Sequence, residues 1–170
     1  MLYEHRFTRF FSFPTILLTL MTGCSSSSTS SPNVPTPKPT VSLDKYQISE
    51  ITYKWGAGFV ERDRYDVTLR KDGTAEYFGD VGASKKGKYR GRIDTAQFDQ
   101  LASLIIQKDF FSLKDKYAAD GTDADTVIIS VLYAGGLKTV VNYGGGGDDE
   151  VGDVQRAIAQ LASQITWQEY

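Results

Sequence analysis

The sequence predicts an α+β fold in which two amphipathic helices pack on one face of an antiparallel sheet of about five to six strands. Two segments, 65–78 and 126–143, alternate apolar and polar side chains on either side of a glycine-containing turn, which is typical of β-hairpins. Two others, 98–105 and 151–165, carry apolar residues at steps of three and four, as amphipathic helices do. The predicted element order is ββββ-α-ββ-α.

The first strand is predicted over Ile48–Trp55, and a hairpin with a three-residue loop over residues 71–73 follows it. This loop length pairs Leu69 with Ala75 and Val67 with Tyr77, whereas a two-residue loop would set Leu69 against a glutamate. We prefer the three-residue loop because it keeps one face of the hairpin apolar.

The same criterion predicts the register of the second hairpin, which turns at residues 134–136. A three-residue loop pairs Tyr133 with Leu137 and Ile129 with Val141, and a two-residue Gly-Gly turn would place polar residues opposite them. We therefore expect the longer loop. Most strand tyrosines then face the core, which we favour over a sugar-stacking surface: Tyr65, Tyr77, Tyr89, Tyr133 and Tyr143.

Each predicted helix has a recognisable start. Asp94 and Gln97 form a capping-box pattern before the apolar positions of the first helix, which ends near Asp109. Acidic residues crowd the predicted start of the second helix, where the helix dipole favours negative charge; they are Asp148, Asp149, Glu150 and Asp153.

Residues 1–23 have the features of a bacterial lipoprotein signal peptide. Arg6 and Arg9 precede a mostly apolar run that is too short and too interrupted to span a bilayer. The run ends in Leu-Met-Thr-Gly-Cys, which resembles a lipobox, so we predict cleavage between Gly23 and Cys24 and lipidation of Cys24. An ordinary signal peptide with a cysteine near the cut is the alternative.

The segment 24–40 is almost entirely serine, threonine and proline after its cysteine, which predicts a disordered tether between the lipid and the domain. The remaining residues, 41–170, are enough for one hydrophobic core. The sequence thus predicts a single domain held on the cell envelope by an N-terminal lipid and facing the periplasm or the exterior.

Loss of the signal peptide would remove much of the chain's catalytic potential. The sole histidine, His5, and both methionines lie within residues 1–23, and the one cysteine would carry the lipid. The predicted mature chain therefore lacks the residues for Ser-His-Asp or Cys-His catalysis, for zinc sites built from histidine or cysteine, and for histidine-held haem. We expect a protein that is not an enzyme and holds no cofactor.

The charge distribution is nearly balanced, with 19 basic and 21 acidic residues, which argues against a nucleic-acid partner. The exception is a basic run in which the last three cations alternate with Tyr89, Gly91 and Ile93. This alternation predicts a strand with a solvated basic face. That face could contact anionic lipid headgroups or polymers, or could simply be solvated. The run comprises Lys85, Lys86, Lys88, Arg90 and Arg92.

A calcium site is a second hypothesis from the sequence. Hairpin topology brings the entry of one strand near the exit of the other, where acidic side chains could converge, and Ca²⁺ prefers carboxylate oxygens. Helix capping and loop solvation explain the same residues, and their spacing does not match an EF-hand. The candidate ligands are Asp120, Asp123, Asp125, Asp148, Asp149 and Glu150.

Several short motifs, in order and spacing, resemble the bacterial domain of unknown function 6438 over about residues 48–167. They are Tyr65-Asp-Val-Thr-Leu, Lys71-Asp-Gly-Thr, Tyr77-Phe-Gly, Asp109-Phe-Phe-Ser-Leu, Tyr117, Thr122-Asp123, Lys138-Thr-Val and Ile165-Thr-Trp167. The resemblance implies an exported protein or lipoprotein but lends no activity. Many members carry a cysteine pair and a proline before the first tyrosine, where this chain has Gly-Phe-Val-Glu-Arg-Asp-Arg at 58–64, so any role of those cysteines is absent here.

Together these features predict an envelope lipoprotein whose domain binds an envelope protein or polymer without catalysis. A calcium-dependent binding module is the first alternative. A hydrolase that uses only carboxylates is the second, and it would need two carboxyl groups roughly 5 to 10 Å apart in a cleft.

Overall fold

The computed structural model describes residues 45–56, 64–80, 82–121 and 124–170. The predicted signal peptide, the cleavage site at Gly23 and Cys24, and the tether over 24–40 lie outside these residues. Among the described residues, no helix has both the length and the apolar character needed to cross a membrane.

The described chain forms eight strands and two helices, together with a short 3₁₀ turn over Phe110–Ser112. In chain order the elements are β1 (Glu50–Gly56), β2 (Tyr65–Arg70), β3 (Thr74–Gly79), β4 (Gly87–Arg92), α1 (Thr95–Gln107), β5 (Lys116–Ala118), β6 (Thr126–Tyr133), β7 (Gly136–Tyr143), α2 (Asp149–Ser163) and β8 (Gln168–Glu169).

All eight strands belong to one sheet, in the order β5-β7-β6-β1-β2-β3-β4-β8. The α+β class is confirmed, but the expectation of five to six antiparallel strands is wrong in detail. The sheet is mixed, because β5 pairs with β7 in parallel, and β8 adds a further antiparallel strand on β4. Both additional strands have only two or three residues, too few for an alternating pattern to mark them.

The core lies between the helices and one face of the sheet, which we call the covered face. Alternate strand residues such as Ile51, Val67 and Leu69 are buried there against α1 and α2. Their strand neighbours, such as Thr52 and Thr68, point to the other side and stay half-buried. We call that side the open face.

The helices form where their apolar spacing predicts. Asp94 caps α1 with its side chain on the Ala96 N–H, and the Gln97 side chain returns to the Asp94 N–H, so the capping box is confirmed. Helix α2 begins after Asp148 and turns its apolar stripe into the core. The buried helix residues are Phe98, Leu101, Ala102, Ile105, Val151, Val154, Ile158, Leu161 and Ala162.

The first hairpin has the predicted register, with Leu69 opposite Ala75 and Val67 opposite Tyr77. The predicted register of the second hairpin is wrong, and so is the alternative Gly-Gly turn. Residues 134 and 135 form the turn, so that Tyr133 pairs with Gly136 and Ile129 with Val140.

This register turns two polar side chains, Lys138 and Asn142, toward the covered face, and each is satisfied there. Asn142 donates to Gln155 and accepts from the Gly147 N–H, while the Lys138 ammonium binds the Leu113 carbonyl at 2.6 Å. Counting apolar pairs fails here because buried polar groups with hydrogen-bond partners cost little.

These registers determine the face of the sheet on which each strand tyrosine lies. Four of them lie on the covered side, whereas Tyr143 is on the open side and its hydroxyl donates to the Gly121 carbonyl. The four on the covered side are Tyr65, Tyr77, Tyr89 and Tyr133.

Candidate binding surface

Strand β4 presents the predicted basic face. Lys88, Arg90 and Arg92 are exposed on the open face, while Tyr89 and Gly91 are half-buried on the covered side. The strand lies between β3 and the two-residue strand β8, near one edge of the sheet. The alternation in the sequence therefore identified both the strand and its solvated face.

Beside these cations the surface forms a groove of about 650 Å³, which we call the β4 groove. Side chains from three neighbouring strands and from the segment after α2 line it. Those that carry charge or hydrogen-bonding groups include Arg70, Glu76, Arg90, Arg92, Thr166 and Gln168.

Arg70, on β2, is neutralised within the sheet. Its guanidinium donates to Glu50 and to Glu76, each at 2.9 Å. The hydrogen bond to Glu76 raises the pKa of Arg70, and the same bond lowers the pKa of Glu76. Both groups remain charged at neutral pH, and with Glu50 the cluster holds one cation and two carboxylates, so Arg70 leaves no excess positive charge here.

Arg90 and Arg92 differ from Arg70, because no carboxylate of the described residues lies within ion-pair distance of either. Acidic residues act on them only beyond that distance: Glu76 lies opposite Arg90 in the strand pairing and its pKa is lowered in part by Arg90, and Arg92 helps to lower the pKa of Asp72. The β4 side of the groove therefore has an excess of positive charge.

The C-terminal segment positions Arg90. The guanidinium carbon of Arg90 lies 3.7 Å from the ring centroid of Tyr170, which is a cation–π contact. The Tyr170 N–H also donates to the Lys88 carbonyl. Strand β8 pairs Gln168 with Arg90 and so brings the tyrosine to this position. The contact holds the guanidinium beside the ring of Tyr170.

Gly91 allows this segment to approach β4 closely. A Cβ at this position would lie 2.3 Å from Ile165 Cγ2 and 3.1 Å from the Trp167 ring. The small residue within the basic run is therefore a packing requirement of the C-terminal segment. Sequence reasoning missed the contribution of Thr166, Gln168 and Tyr170, because nothing in so short a strand predicts its pairing.

The acidic candidates do not form a metal site among the described residues. The loops around Asp125 and residue 144 do meet, since the Gly144 N–H donates to the Asp125 carbonyl at 2.8 Å. In the part of the chain described here, however, no group of three or more histidine, cysteine or acidic side chains could hold a metal ion. Asp123 lies outside the described residues.

Two of the acids at the start of α2 act on a cation, Lys108, instead. Asp149 and Glu150 lie in the first turn of the helix, and Asp148 precedes it. All three belong to the proposed calcium ligands, as do Asp120 and Asp125. Asp153, one turn further on, forms an ion pair with Lys108 and raises the pKa of that lysine, with Glu150 and Asp149 adding to the shift.

Comparison with known proteins gives one finding on the family. No curated protein matches the chain significantly. A family model described as "Domain of unknown function (DUF6438)" matches residues 49–162, which is more than half of the chain and includes β1 to β7 and most of α2. The chain therefore belongs to the DUF6438 family.

Proposed function

We propose that this chain is an envelope lipoprotein, anchored by a lipid on Cys24, whose domain binds an anionic polymer of the envelope in the β4 groove without catalysis. The observation that carries the proposal is the pair Arg90 and Arg92, exposed on the open face with no ion-pair partner among the described residues.

Guanidinium groups suit this role because their planar fork donates two parallel hydrogen bonds to a carboxylate or phosphate. The spacing of the strand supports repeated contacts. Arg90 and Arg92 are two residues apart on one face, so their Cα atoms are about 6.6 Å apart, which is comparable with the spacing of charged groups along a polymer.

The shape favours a linear chain over a flat membrane surface. The groove is concave and bordered on one side by Gln164, Thr166 and Gln168, whose polar side chains can hydrogen-bond hydroxyl groups of a polymer. A bilayer surface would be contacted better by a flat or convex patch. We therefore take a carboxylate- or phosphate-bearing polymer as the partner.

The charges of the groove support binding rather than hydrolysis. Glu76 is the carboxylate that lines it among the described residues, and its pKa is lowered by its hydrogen bond to Arg70. A carboxyl group with a lowered pKa is a poor general acid at neutral pH. Glycan hydrolysis also requires a second carboxyl group nearby.

The anchor is tested by fractionation. Cys24→Ser should move the protein from the membrane fraction to the soluble fraction of the envelope, because the thiol that accepts the lipid is lost. A Cys24→Ser chain that is still held in the membrane fraction would show that the lipoprotein assignment is wrong.

The partner class is tested with the Cys24→Ser chain and three probes. Polygalacturonate supplies a carboxylate polymer, dextran a neutral one, and phosphatidylglycerol vesicles an anionic membrane. We expect binding to polygalacturonate that weakens with added salt, little binding to dextran, and weaker binding to vesicles. Equal binding to both polymers, or preferential binding to the vesicles, would contradict the proposed partner.

A further inference from the structure

A second cavity, of about 300 Å³, opens on the covered face, between the sheet and the end of α2. Three aromatic rings, those of Tyr65, Tyr77 and Trp167, line one part of it. Ala159 and Ala162 of α2 line another, and Lys85 contributes from the loop before β4. We call it the aromatic pocket.

The aromatic pocket is one end of a row of rings that crosses the sheet. Tyr65 and Tyr77 stack with ring centroids 5.6 Å apart and planes 18° apart, and Trp167 lies 5.5 Å from Tyr77. In the other direction Tyr65 contacts Tyr53, which is only 2% exposed. The row thus begins in the core, where rings are tightly packed, and ends at a cavity.

The size of the helix side chains explains why the cavity exists. Elsewhere α2 places Val154 and Ile158 against the sheet, but toward the aromatic pocket it offers Ala159, Ala162 and Ser163. Protein interiors rarely leave voids much larger than a water molecule. A pocket of about 300 Å³ is large enough to hold several waters. Replacing such water by an apolar ring is favourable, because aromatic walls hydrogen-bond it poorly.

A positive charge accompanies these aromatic walls. Lys85 is exposed, and no carboxylate among the described residues lies within ion-pair distance of it. Ser84, beside it, also lines the pocket and offers a hydroxyl group. A ligand that matches both features has a planar apolar ring and an anionic substituent.

We propose that the aromatic pocket binds a small planar ring compound that carries an anionic group. The ring lies against Tyr77 and Trp167, and the anion faces Lys85. This site is separate from the β4 groove, because the two cavities share no lining residue. Its occupancy does not depend on Arg90 or Arg92.

The test uses Trp167 as a reporter. The chain has two tryptophans, so Trp55→Phe leaves Trp167 as the only one. The probe is 1-anilinonaphthalene-8-sulfonate, a ring compound with a sulfonate, and its neutral analogue N-phenyl-1-naphthylamine is the comparison. We expect saturable quenching of Trp167 by the anionic probe and about tenfold weaker binding of the neutral one. In the reciprocal Trp167→Phe chain, the fluorescence of Trp55 should change little.

Matched variants then locate the site. Ala159→Leu adds volume to the aromatic pocket and should weaken binding of the sulfonate probe about tenfold, whereas Ala157→Leu, on the same helix but outside the pocket, should not. Lys85→Gln should weaken binding of the sulfonate but not of the neutral probe, and Lys86→Gln should have little effect on either.

Equal affinities in the Ala159→Leu and Ala157→Leu chains would overturn the proposal, as would a Trp167 signal that does not change with either probe. Arg90→Gln/Arg92→Gln should leave probe binding unchanged. Failure of the polymer proposal would therefore not be mistaken for failure of this one.

Discussion

The two faces of the sheet differ in how their side chains stabilise the protein, although the same strands form both. On the covered face, Val67 and Leu69 of β2 are fully buried in the core. On the open face, the intervening Asp66 and Thr68 pair across the sheet, Asp66 with Lys54 at 2.6 Å and Thr68 with Thr52 at 3.4 Å. One face carries most of the folding free energy, and the other carries polar pairs of small individual value.

The open face itself changes character from its centre to its edge. The central strands neutralise their charges with neighbours on the same face, as Arg70 does with Glu50 and Glu76. At β4 this pairing stops, and Arg90 and Arg92 face solvent without such partners among the described residues. The central charged residues are thus paired within the sheet, whereas the β4 arginines are exposed without an ion pair among the described residues, which is the feature on which the proposed binding depends.

The largest expected effect comes from truncation on the covered face. Leu69 is 0% exposed, so Leu69→Ala should lower the free energy of unfolding by about 2–5 kcal/mol through lost burial and a residual cavity. Thr68→Ala, the next residue on the open face, should cost less than about 1 kcal/mol. Urea denaturation of both variants measures the two free energies of unfolding. Similar losses would show that the covered face does not contribute more to stability than the open face.

A smaller effect is expected where the covered face meets the C-terminal segment. Gly91→Val places a side chain where Ile165 and Trp167 pack, so it should cost about 1–3 kcal/mol and alter Trp167 fluorescence. Gly56→Val is the control, because no atom of the described residues lies within 4 Å of a Cβ at that position. The spectrum is recorded with Trp55→Phe in both chains, so that Trp167 is the only tryptophan. An unchanged Trp167 emission spectrum in the Gly91→Val chain would argue against the close approach.

Alkaline pH should lower the free energy of unfolding through Tyr53, which is buried on the covered face. Burial, and secondarily the adjacent Tyr65, raise the pKa of Tyr53 above its ordinary value of 10. The neutral phenol therefore stabilises the fold fully below pH 10, and this contribution falls as the pH rises, by up to about 1.4 kcal/mol per pH unit. Denaturation midpoints should fall less steeply above pH 10 in Tyr53→Phe than in the wild type. Equal slopes would contradict the assignment.

The smallest effect concerns the paired charges of the open face. The hydrogen bond from Arg70 lowers the pKa of Glu76, so its stabilisation is present above about pH 4.5 and is lost as the pH falls through the lower, folded-state pKa. Because the pair is partly exposed, solvent screens it, and Glu76→Gln should cost less than about 1 kcal/mol at neutral pH. The difference between variant and wild type should shrink in acid. A constant difference down to pH 2 would rule out the ion pair as its cause.

Sequence patterns anticipated much of the fold, and the exceptions have physical causes. The first hairpin, both helices and the solvated face of β4 follow from side-chain alternation, helical spacing and capping chemistry. The second hairpin does not, because Asn142 and Lys138 point inward and find hydrogen-bond partners in distant segments. Counting apolar cross-strand pairs does not take those hydrogen-bond partners into account.

Only part of the candidate site could be predicted from the sequence, for a related reason. Arg90 and Arg92 belong to a local pattern, but Tyr170 reaches Arg90 only because β8 adds to the sheet edge. The aromatic pocket depends likewise on Trp167, which is far in sequence from Tyr65 and Tyr77. Sites assembled from short segments at a sheet edge leave little periodic signal.

The most direct test of the central claim compares two chains with the same net charge. Arg90→Gln/Arg92→Gln removes two cations from the β4 groove, and Lys71→Gln/Lys116→Gln removes two exposed cations elsewhere on the domain. Calorimetric titration with polygalacturonate should show about tenfold or greater loss of affinity in the arginine variant and a nearly unchanged affinity in the lysine variant. Equal losses of affinity in both variants would mean that net charge alone governs binding, and not the two arginines of β4 that lack ion-pair partners among the described residues.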